Sequence, residues 1–196
     1  MKYYLEITLK EEQTCDLYTL WSQVYTQLHL ALVEVMDEEG RVTIGFSFPD
    51  YYFDEIANLG FLGSKCRLFA ANKSSLIQLN LIERLSSLLN NLHFSEIQTV
   101  PSTINGYASY RKLGKKTSFE RQARRHAKRK GVSIEEALAK YSEFEPFRGN
   151  FPFVRLKSFS TQQSFRLIVK KTEETELKTG KFNTYGLSAK VTLPEF

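Results

Sequence analysis

The sequence has few of the residues that mark several common classes of protein. Its 196 residues include only two cysteines, Cys15 and Cys66. Their separation matches no zinc-site spacing, and two are too few for a disulfide framework, so we expect ordinary buried thiols in a reducing compartment. No apolar run approaches the roughly 18 residues of a membrane span, and the first ten residues show no signal-peptide core. These absences predict a globular, cytoplasmic protein without a membrane partner.

Motifs for bound cofactors are also missing. The sequence contains no P-loop, no Rossmann glycine pattern, no HExxH motif and no carboxylates at metal-ligand spacing. We therefore expect neither a cofactor nor a metal. Histidine is the side chain best suited to proton transfer near neutral pH, and only three are present, namely His29, His93 and His126. The choice of a general acid or base is therefore narrow.

The hydrophobic periodicity of the first hundred residues predicts alternating strands and helices. Residues 3–9 alternate like a strand with one buried face, and residues 17–35 follow the three-and-four spacing of an amphipathic helix. The later elements are predicted to be strands at 42–48, 65–70 and 94–100 and a second amphipathic helix at 72–91. The order strand, helix, strand, strand, helix, strand is the ferredoxin-like (βαββαβ) arrangement that many RNA-binding domains share.

The pattern changes after Pro101. It predicts a basic helix, then a linker with Pro146 and Gly149, and then a series of short strands at 153–159, 165–171, 182–185 and 189–193. The predicted fold class is α+β. We expect a ferredoxin-like domain over residues 1–100 and, packed on it, a second half over residues 101–196 that contains the basic helix and the short strands.

Positive charge is concentrated in one window of the chain. The formal net charge is +5, but residues 111–130 contain ten Lys or Arg and one acid, and so carry +9. The remaining residues hold 17 basic and 21 acidic side chains and carry −4. A concentrated basic block on an otherwise acidic protein indicates a polyanionic partner.

The basic block is predicted to be a helix with one cationic face. Thr117 and Glu120 form a capping box that would start it, and Gly131 would end it. One stripe of this helix contains the five cations Arg121, Arg124, Arg125, Lys128 and Arg129. Like charges on one stripe repel each other, so the arrangement is easier to explain if phosphates approach it. A solvated helix face is the plainer alternative, and DNA is a further possible partner, although no second reading helix or dimer motif is present.

Candidates for chemistry are few. On a helical wheel His29 falls roughly 115° from the centre of the apolar stripe, at its edge. His126 lies among cations, which would depress its pKa, and His93 has no distinctive neighbours. From position alone each histidine is more often structural than catalytic. A cluster of hydroxyls, Ser158, Ser160 and Thr161, precedes Phe165 and suits a ribose, a phosphate and a stacked base, but is as easily a polar hairpin loop.

A set of segments, each weak alone, becomes specific when taken in order along the whole chain. They are residues 3–7 (YYLEI), 28–32 (LHLAL), 44–49 (IGFSFP), the arginine-rich helix, and residues 152–161 (PFVRLKSFST), 165–167 (FRL) and 185–188 (YGLS). Together they resemble the CRISPR-associated endoribonucleases that process repeat RNA in type I-F systems.

The resemblance implies an activity and roles for particular residues. The family cuts at the 3′ base of a repeat hairpin, without a metal, by attack of the upstream ribose 2′-hydroxyl on the adjacent phosphate. His29 matches the catalytic histidine, Ser158 the serine that positions the 2′-hydroxyl, and Tyr185 the tyrosine that orients the site. The matching RNA-binding positions are Phe165, which stacks at the scissile end, Ser160 for a phosphate or ribose contact, and the helix cations Arg124, Arg125, Lys128 and Arg129. From the residues themselves, Arg121 of the same stripe and Thr161 beside Ser160 are further predicted RNA contacts. The implied partners are the repeat hairpin RNA, retained as mature crRNA, and the other subunits of a type I-F surveillance complex.

One position departs from the family pattern. Where the family has an Arg followed two residues later by a Gln, both reading bases, this sequence has Lys112 and Gly114. Lysine still donates to a guanine, but glycine has no side chain to read adenine. We expect base specificity to be relaxed, moved to Arg111 or Lys115, or carried by shape. Two alternatives to an enzyme stay open at this point, a catalytically silent RNA-binding module and a structural subunit of a ribonucleoprotein.

Overall fold

A computed structural model describes residues 1–11, 15–114, 119–142, 150–158 and 162–196, without the side chains of residues 119–122 and 140–142. Its helices are α1 (Leu17–Glu34), α2 (Lys73–Gln78), α3 (Leu81–Arg84), α4 (Phe119–Lys130) and α5 (Ile134–Ser142), with a 3-10 turn at Ser86–Asn91. Its strands are β1 (Tyr3–Leu9), β2 (Arg41–Val42), β3 (Gly45–Ser47), β4 (Tyr52–Asp54), β5 (Leu59–Phe61), β6 (Lys65–Ala70), β7 (Leu92–Phe94), β8 (Gln98–Thr99), β9 (Gly106–Leu113), β10 (Phe153–Lys157), β11 (Ser164–Glu174), β12 (Phe182–Asn183) and β13 (Leu193–Glu195). The protein is α+β, as predicted.

Two antiparallel sheets contain most of the described strands. In the first sheet the order is β3, β6, β1, β7, and β8 pairs with β1 beyond the end of β7. In the second sheet the order is β10, β11, β9, β13. A short antiparallel pair, β2 with β12, joins the N-terminal and C-terminal halves of the chain.

Helix α1 lies where the two sheets meet. Asp16 caps its N-terminus, since its carboxylate accepts hydrogen bonds from the backbone N–H and the hydroxyl of Thr19 at 2.9 and 3.0 Å. The helix contacts both β1 and β10. Its apolar stripe is buried, as the spacing predicts, and consists of Leu20, Trp21, Val24, Tyr25, Leu28, Ala31 and Leu32.

Buried side chains from both halves of the chain form one hydrophobic cluster. It includes Leu28 of α1, Phe46 of β3, Leu156 of β10 and Phe182 of β12, each at most 4 % exposed. The C-terminal half is therefore packed on the N-terminal half. The division of the chain into domains at residue 100 stays a prediction.

Several elements differ from those expected from the sequence. The helix predicted at 72–91 is broken into α2, α3 and the 3-10 turn, because Asn80 adopts a left-handed conformation (φ 47°) that asparagine tolerates. The strand predicted at 94–100 is interrupted, since the Ser95 hydroxyl, at 2.9 Å, accepts the Glu6 N–H in place of a backbone carbonyl. The strand predicted at 42–48 is likewise split into β2 and β3.

The second sheet also contains strands that the sequence reading missed or shortened. Strand β9 was not predicted, and β11 extends over 11 residues where a short strand was expected. The hairpin of β4 and β5 was not predicted either. Both cysteines are free thiols; Cys66 is buried, as expected, and Cys15 is only half-buried. None of the described helices is long and apolar enough to cross a membrane.

Candidate active site and nucleic-acid interface

His29 is half-buried at the edge of the apolar stripe of α1, where the helical wheel puts it. Its Nδ1 lies 2.7 Å from the carbonyl oxygen of Thr184. A carbonyl only accepts hydrogen bonds, so Nδ1 carries a proton and, in the neutral ring, Nε2 has the free lone pair. Among the described residues Nε2 has no hydrogen-bond partner. The imidazole is therefore held in the tautomer that can accept a proton at Nε2.

The pKa of His29 is lowered from its ordinary value. Burial is the main cause, because it disfavours the charged imidazolium. The hydrogen bond to Thr184 opposes this shift, and the positive charge of Lys112 adds to it. Near neutral pH the ring is accordingly in its neutral form, which is the form a general base needs.

Tyr185 fixes the plane of the imidazole. The two rings are stacked with their centroids 4.2 Å apart and an angle of 9° between their planes. The loop that carries Tyr185 is itself tied down, since the Asn183 side-chain oxygen accepts from the N–H groups of Tyr185 and Leu187. The buried hydroxyl of Tyr25 donates to the carbonyl of Tyr185 at 2.8 Å. The stack on His29 is thus supported from both the loop and the core.

Gly186 allows the loop to pass close to the core. Its φ is +71°, in the left-handed region that favours glycine. A β-carbon at this position would lie 2.5 Å from Cγ of Phe46, a buried ring of β3. Only glycine fits both the conformation and the space, which keeps the loop pressed against the core beside His29.

Lys112 joins the same cluster from β9. Its Nζ lies 4.3 Å from the ring centroid of Tyr185 and 5.6 Å from that of Phe165, distances at which a cation is attracted to an aromatic face. Burial against these rings lowers the pKa of Lys112. The rings of Phe165 and Tyr185 meet edge to face, 6.5 Å apart. From the sequence, Lys112 was predicted to read a base. Its contact with Tyr185 was not predicted, because β9 was not recognised.

A cavity of about 350 Å³ brings the candidate catalytic residues together. His29, Ser158, Phe165 and Tyr185 all border it, and its other lining residues are Thr26, Leu30, Val33, Leu156 and Lys157. Its volume lies within the range of small-ligand sites. Ser158 directly follows the last residue of β10, and its N–H donates to the carbonyl of Gln163 at 2.9 Å. Ser160 and Thr161 lie outside the described residues.

The arginine-rich helix α4 forms a helical hairpin with α5. Its buried face consists of Ala123 and Ala127, which pack with Ala137 and Leu138 of α5. The exposed face includes the predicted cations Arg124, Arg125, Lys128 and Arg129. Gly131 ends the helix with φ +68°, as predicted. The stripe is therefore directed away from α5, as a phosphate-binding face requires.

The remaining predicted RNA-binding residues are not all described. Arg111 is exposed on β9, and Gly114 has open space where a side chain would extend. Lys115, the Thr117–Glu120 capping box and the Arg121 side chain lie outside the description. His93 is exposed on β7 and does not line the cavity. In the described part of the chain, no group of three or more His, Cys, Asp or Glu side chains could hold a metal ion.

A model of the family described as "CRISPR-associated protein (Cas_Csy4)" matches residues 4–196. The chain belongs to this family. Two proteins similar to this chain are each named CRISPR-associated endonuclease Cas6/Csy4. The one from Pseudomonas aeruginosa (strain UCBPP-PA14) is 32 % identical and the one from Escherichia coli (strain UTI89 / UPEC) 29 % identical, over 197 residues and the whole of both chains in each case. The family resemblance stated from the sequence segments is confirmed.

Solved structures of lower similarity were also found. An RAMP protein binding different RNA substrates has 12 % identity and a TM-score of 0.37, with 99 % of both chains covered. A CRISPR-associated protein Cas6 has 12 % identity and a TM-score of 0.31, with 99 % of this chain and 98 % of that chain covered. At these TM-scores the likeness supports no conclusion about this protein.

Proposed function

We propose that this Cas_Csy4 family member is a metal-independent endoribonuclease of the cytoplasm that binds and cuts CRISPR repeat hairpins in precursor crRNA. The observation that carries the proposal is the single cavity bordered by His29, Ser158 and Tyr185, with His29 held in the tautomer that leaves Nε2 free. The names of the two whole-length relatives, both CRISPR-associated endonucleases, support the same class of substrate and reaction.

In the proposed reaction Nε2 of His29 takes the proton of the ribose 2′-hydroxyl upstream of the scissile phosphate. The 2′-oxygen attacks phosphorus, a new P–O2′ bond forms, and the P–O5′ bond breaks. The leaving oxygen takes up the proton from the His29 imidazolium, which returns to its neutral form, and becomes a 5′-hydroxyl. The upstream fragment ends in a 2′,3′-cyclic phosphate. Water and a metal ion take no part in this step.

The other cavity residues have positioning roles in this proposal. The Ser158 hydroxyl holds the 2′-hydroxyl in line, and Tyr185 fixes the plane of the imidazole through the 4.2 Å stack. Phe165 stacks on the last base of the stem. Lys112 lies over both aromatic rings, and in this proposal its ammonium group contacts the phosphate or the base beside it.

The hairpin stem is proposed to lie on the cationic face of α4. The contacts come from Arg124, Arg125, Lys128 and Arg129, whose exposure supports this role. Arg111, Lys115, Arg121, Ser160 and Thr161 are further proposed contacts from the sequence reading. We also propose that the mature crRNA stays bound and brings the protein into a type I-F surveillance complex. We further propose that residues 1–100 form a ferredoxin-like domain, which the strand order of the first sheet supports.

Replacing His29 with alanine tests the mechanism. Loss of general acid or base catalysis typically lowers a rate about 10²- to 10⁴-fold. We expect this loss in single-turnover cleavage of the repeat RNA, with hairpin affinity unchanged and with wild-type cleavage undiminished by EDTA. A substrate with a 2′-deoxy nucleotide upstream of the cut should bind and stay intact. His93→Ala, which changes an exposed histidine on β7, is the matched control. Cleavage of the deoxy substrate would show that water is the nucleophile and contradict the proposal.

A further inference from the structure

A second cavity, of about 720 Å³, adjoins the catalytic cavity. The two share Thr26, Leu156 and Lys157 as lining residues. The second cavity continues along α1 from Thr26 toward Ser22 and along β10 from Lys157 to Arg155. It thus leads away from His29. Ser22 lies roughly 10 Å from His29 along the helix axis, at about 1.5 Å per residue. We call it the flank groove.

The flank groove has no acidic residue in its lining. Its polar lining is Ser22, Gln23, Thr26, Gln27, Arg84, Ser87, Arg155, Lys157 and Ser164. Arg84 is ion-paired with Glu34. In the described ranges neither Arg155 nor Lys157 has a carboxylate partner, and both are exposed. The groove therefore presents two unneutralised cations together with amides and hydroxyls, which is a lining that suits phosphate and ribose.

Cross-strand pairing adds a second, independent indication of an anion. Arg155 on β10 is directly opposite Arg166 on β11, and both are exposed. Like charges directly opposite each other destabilise a sheet. Arg166 also lies over the ring of Phe153, 4.6 Å from its centroid, so its charge stays close to Arg155. This unfavourable pair at the edge of the groove is explained if a phosphate neutralises it.

We propose that the flank groove binds the single-stranded RNA immediately downstream of the cleaved phosphate. Arg155 and Lys157 would contact its phosphates, and Gln23, Gln27 and Ser164 its sugars and base edges. The inference rests on the proposed function, because the catalytic cavity defines which phosphate is cut. Binding of this strand fixes the direction of the leaving 5′-oxygen.

The arrangement of the two cavities favours the downstream strand over the upstream one. Phe165 and Tyr185 border the catalytic cavity but not the flank groove, and Lys112 lies over both of their rings. Lys112 lies on β9, the strand that precedes α4, so a hairpin on α4 reaches the catalytic cavity on the Lys112 side. The groove leaves the cavity at Thr26 and Lys157 instead. A strand that enters past Lys112 and passes His29 therefore continues into the groove.

The test uses three RNAs that carry a 2′-deoxy nucleotide at the cut and so remain intact. One hairpin ends at the cut, one has a short single-stranded 3′ extension, and one has an equal 5′ extension. Affinities are measured for the wild type, Arg155→Ala, Arg155→Glu and the control Arg41→Ala, which removes an exposed arginine on β2. We expect the 3′ extension to raise wild-type affinity roughly three- to tenfold and to raise the salt slope by about 0.7 per phosphate bound.

Each outcome decides the inference. Arg155→Ala should remove the gain from the 3′ extension, Arg155→Glu should reverse it, and both should bind the short hairpin like the wild type. A gain from the 5′ extension alone, an equal loss on all three RNAs, or no gain from either extension would overturn the inference. Cleavage of the all-ribose hairpin is measured separately. Its absence would contradict the proposed function, whereas cleavage without any gain from the 3′ extension would overturn only the flank groove.

Discussion

The surroundings of His29 and the helical hairpin of α4 and α5 are held together by very different side chains. Near His29 the packing is aromatic, and Tyr25 and Phe46, both fully buried, support the loop that carries Tyr185. The α4–α5 hairpin has its own small cluster, centred on three buried alanines. The aromatic region buries much more apolar surface per side chain and therefore defines its geometry more tightly.

The difference matches what each region does in the proposed function. Proton transfer and in-line attack depend on groups held to a fraction of an ångström, so the imidazole needs a rigid support. Attraction between a cation stripe and phosphates is long-range and weakly directional, so it tolerates a helix that moves relative to the core. We therefore expect substitutions in the first region to affect stability and chemistry, and substitutions in the second to affect affinity.

The largest expected effect is in the aromatic region. Phe46 is fully buried against Tyr25 and Gly186, and Phe46→Ala should lower the free energy of unfolding by about 3–5 kcal/mol. Urea denaturation measures this loss. Ile56→Ala is the control, because Ile56 is 99 % exposed and its truncation should change little. If Phe46→Ala lowered the free energy of unfolding as little as Ile56→Ala, the aromatic region would be no more rigid than the α4–α5 hairpin.

The next effect concerns the cation stripe. Arg124→Ala combined with Arg125→Ala should weaken hairpin binding and lower the slope of log affinity against log salt by about 1.8, if each arginine contacts one phosphate. Unfolding in urea should be unchanged, because both side chains are exposed. The control pair is Lys10→Ala with Arg41→Ala, which removes equal charge elsewhere. An unchanged salt slope in the double variant would mean that α4 is a solvated helix without a role in RNA binding.

A smaller effect is expected inside the α4–α5 hairpin. Ala127→Gly should cost about 1 kcal/mol of local helix stability, because glycine is a poor helix former and the alanine contact is lost. Amide hydrogen exchange in α4 should become faster while that in α1 stays the same. Ala189→Gly, at an exposed position, serves as the control. Faster exchange in both helices would show that the hairpin and the core unfold as one unit.

The smallest effect is on the pH dependence of cleavage. The pKa of His29 is lowered, so the neutral base persists to lower pH and the acid limb of the rate profile should have its midpoint below 6.5. Lys112→Met removes the positive charge that contributes to this shift, and the midpoint should move up. Burial remains the main cause, so the move should be small. Single-turnover rates across pH measure it, with Lys190→Met as control, and a downward move would contradict the assignment of His29 as the base.

Features that depend on local spacing and composition could be predicted from the sequence alone. The three-and-four spacing of α1 was enough to put His29 at the edge of a buried stripe, because the geometry of a helix is regular. The block of cations on α4, and the end of that helix at Gly131, follow from composition and from the conformational freedom of glycine. The ordered segments along the chain were likewise enough to identify the family.

The assembly of the candidate site, by contrast, depends on contacts that local sequence patterns do not predict. The carbonyl that fixes the His29 tautomer belongs to Thr184, 155 positions further along the chain, and a backbone carbonyl has no signature in the sequence. Lys112 reaches Tyr185 because β9 pairs with β11, and β9 was not recognised. Local periodicity predicts which face of a helix or strand is buried, but it does not predict which helices and strands pack against each other. The ring stack on His29, the lowered pKa of His29 and the flank groove all depend on contacts between segments that are distant in the sequence.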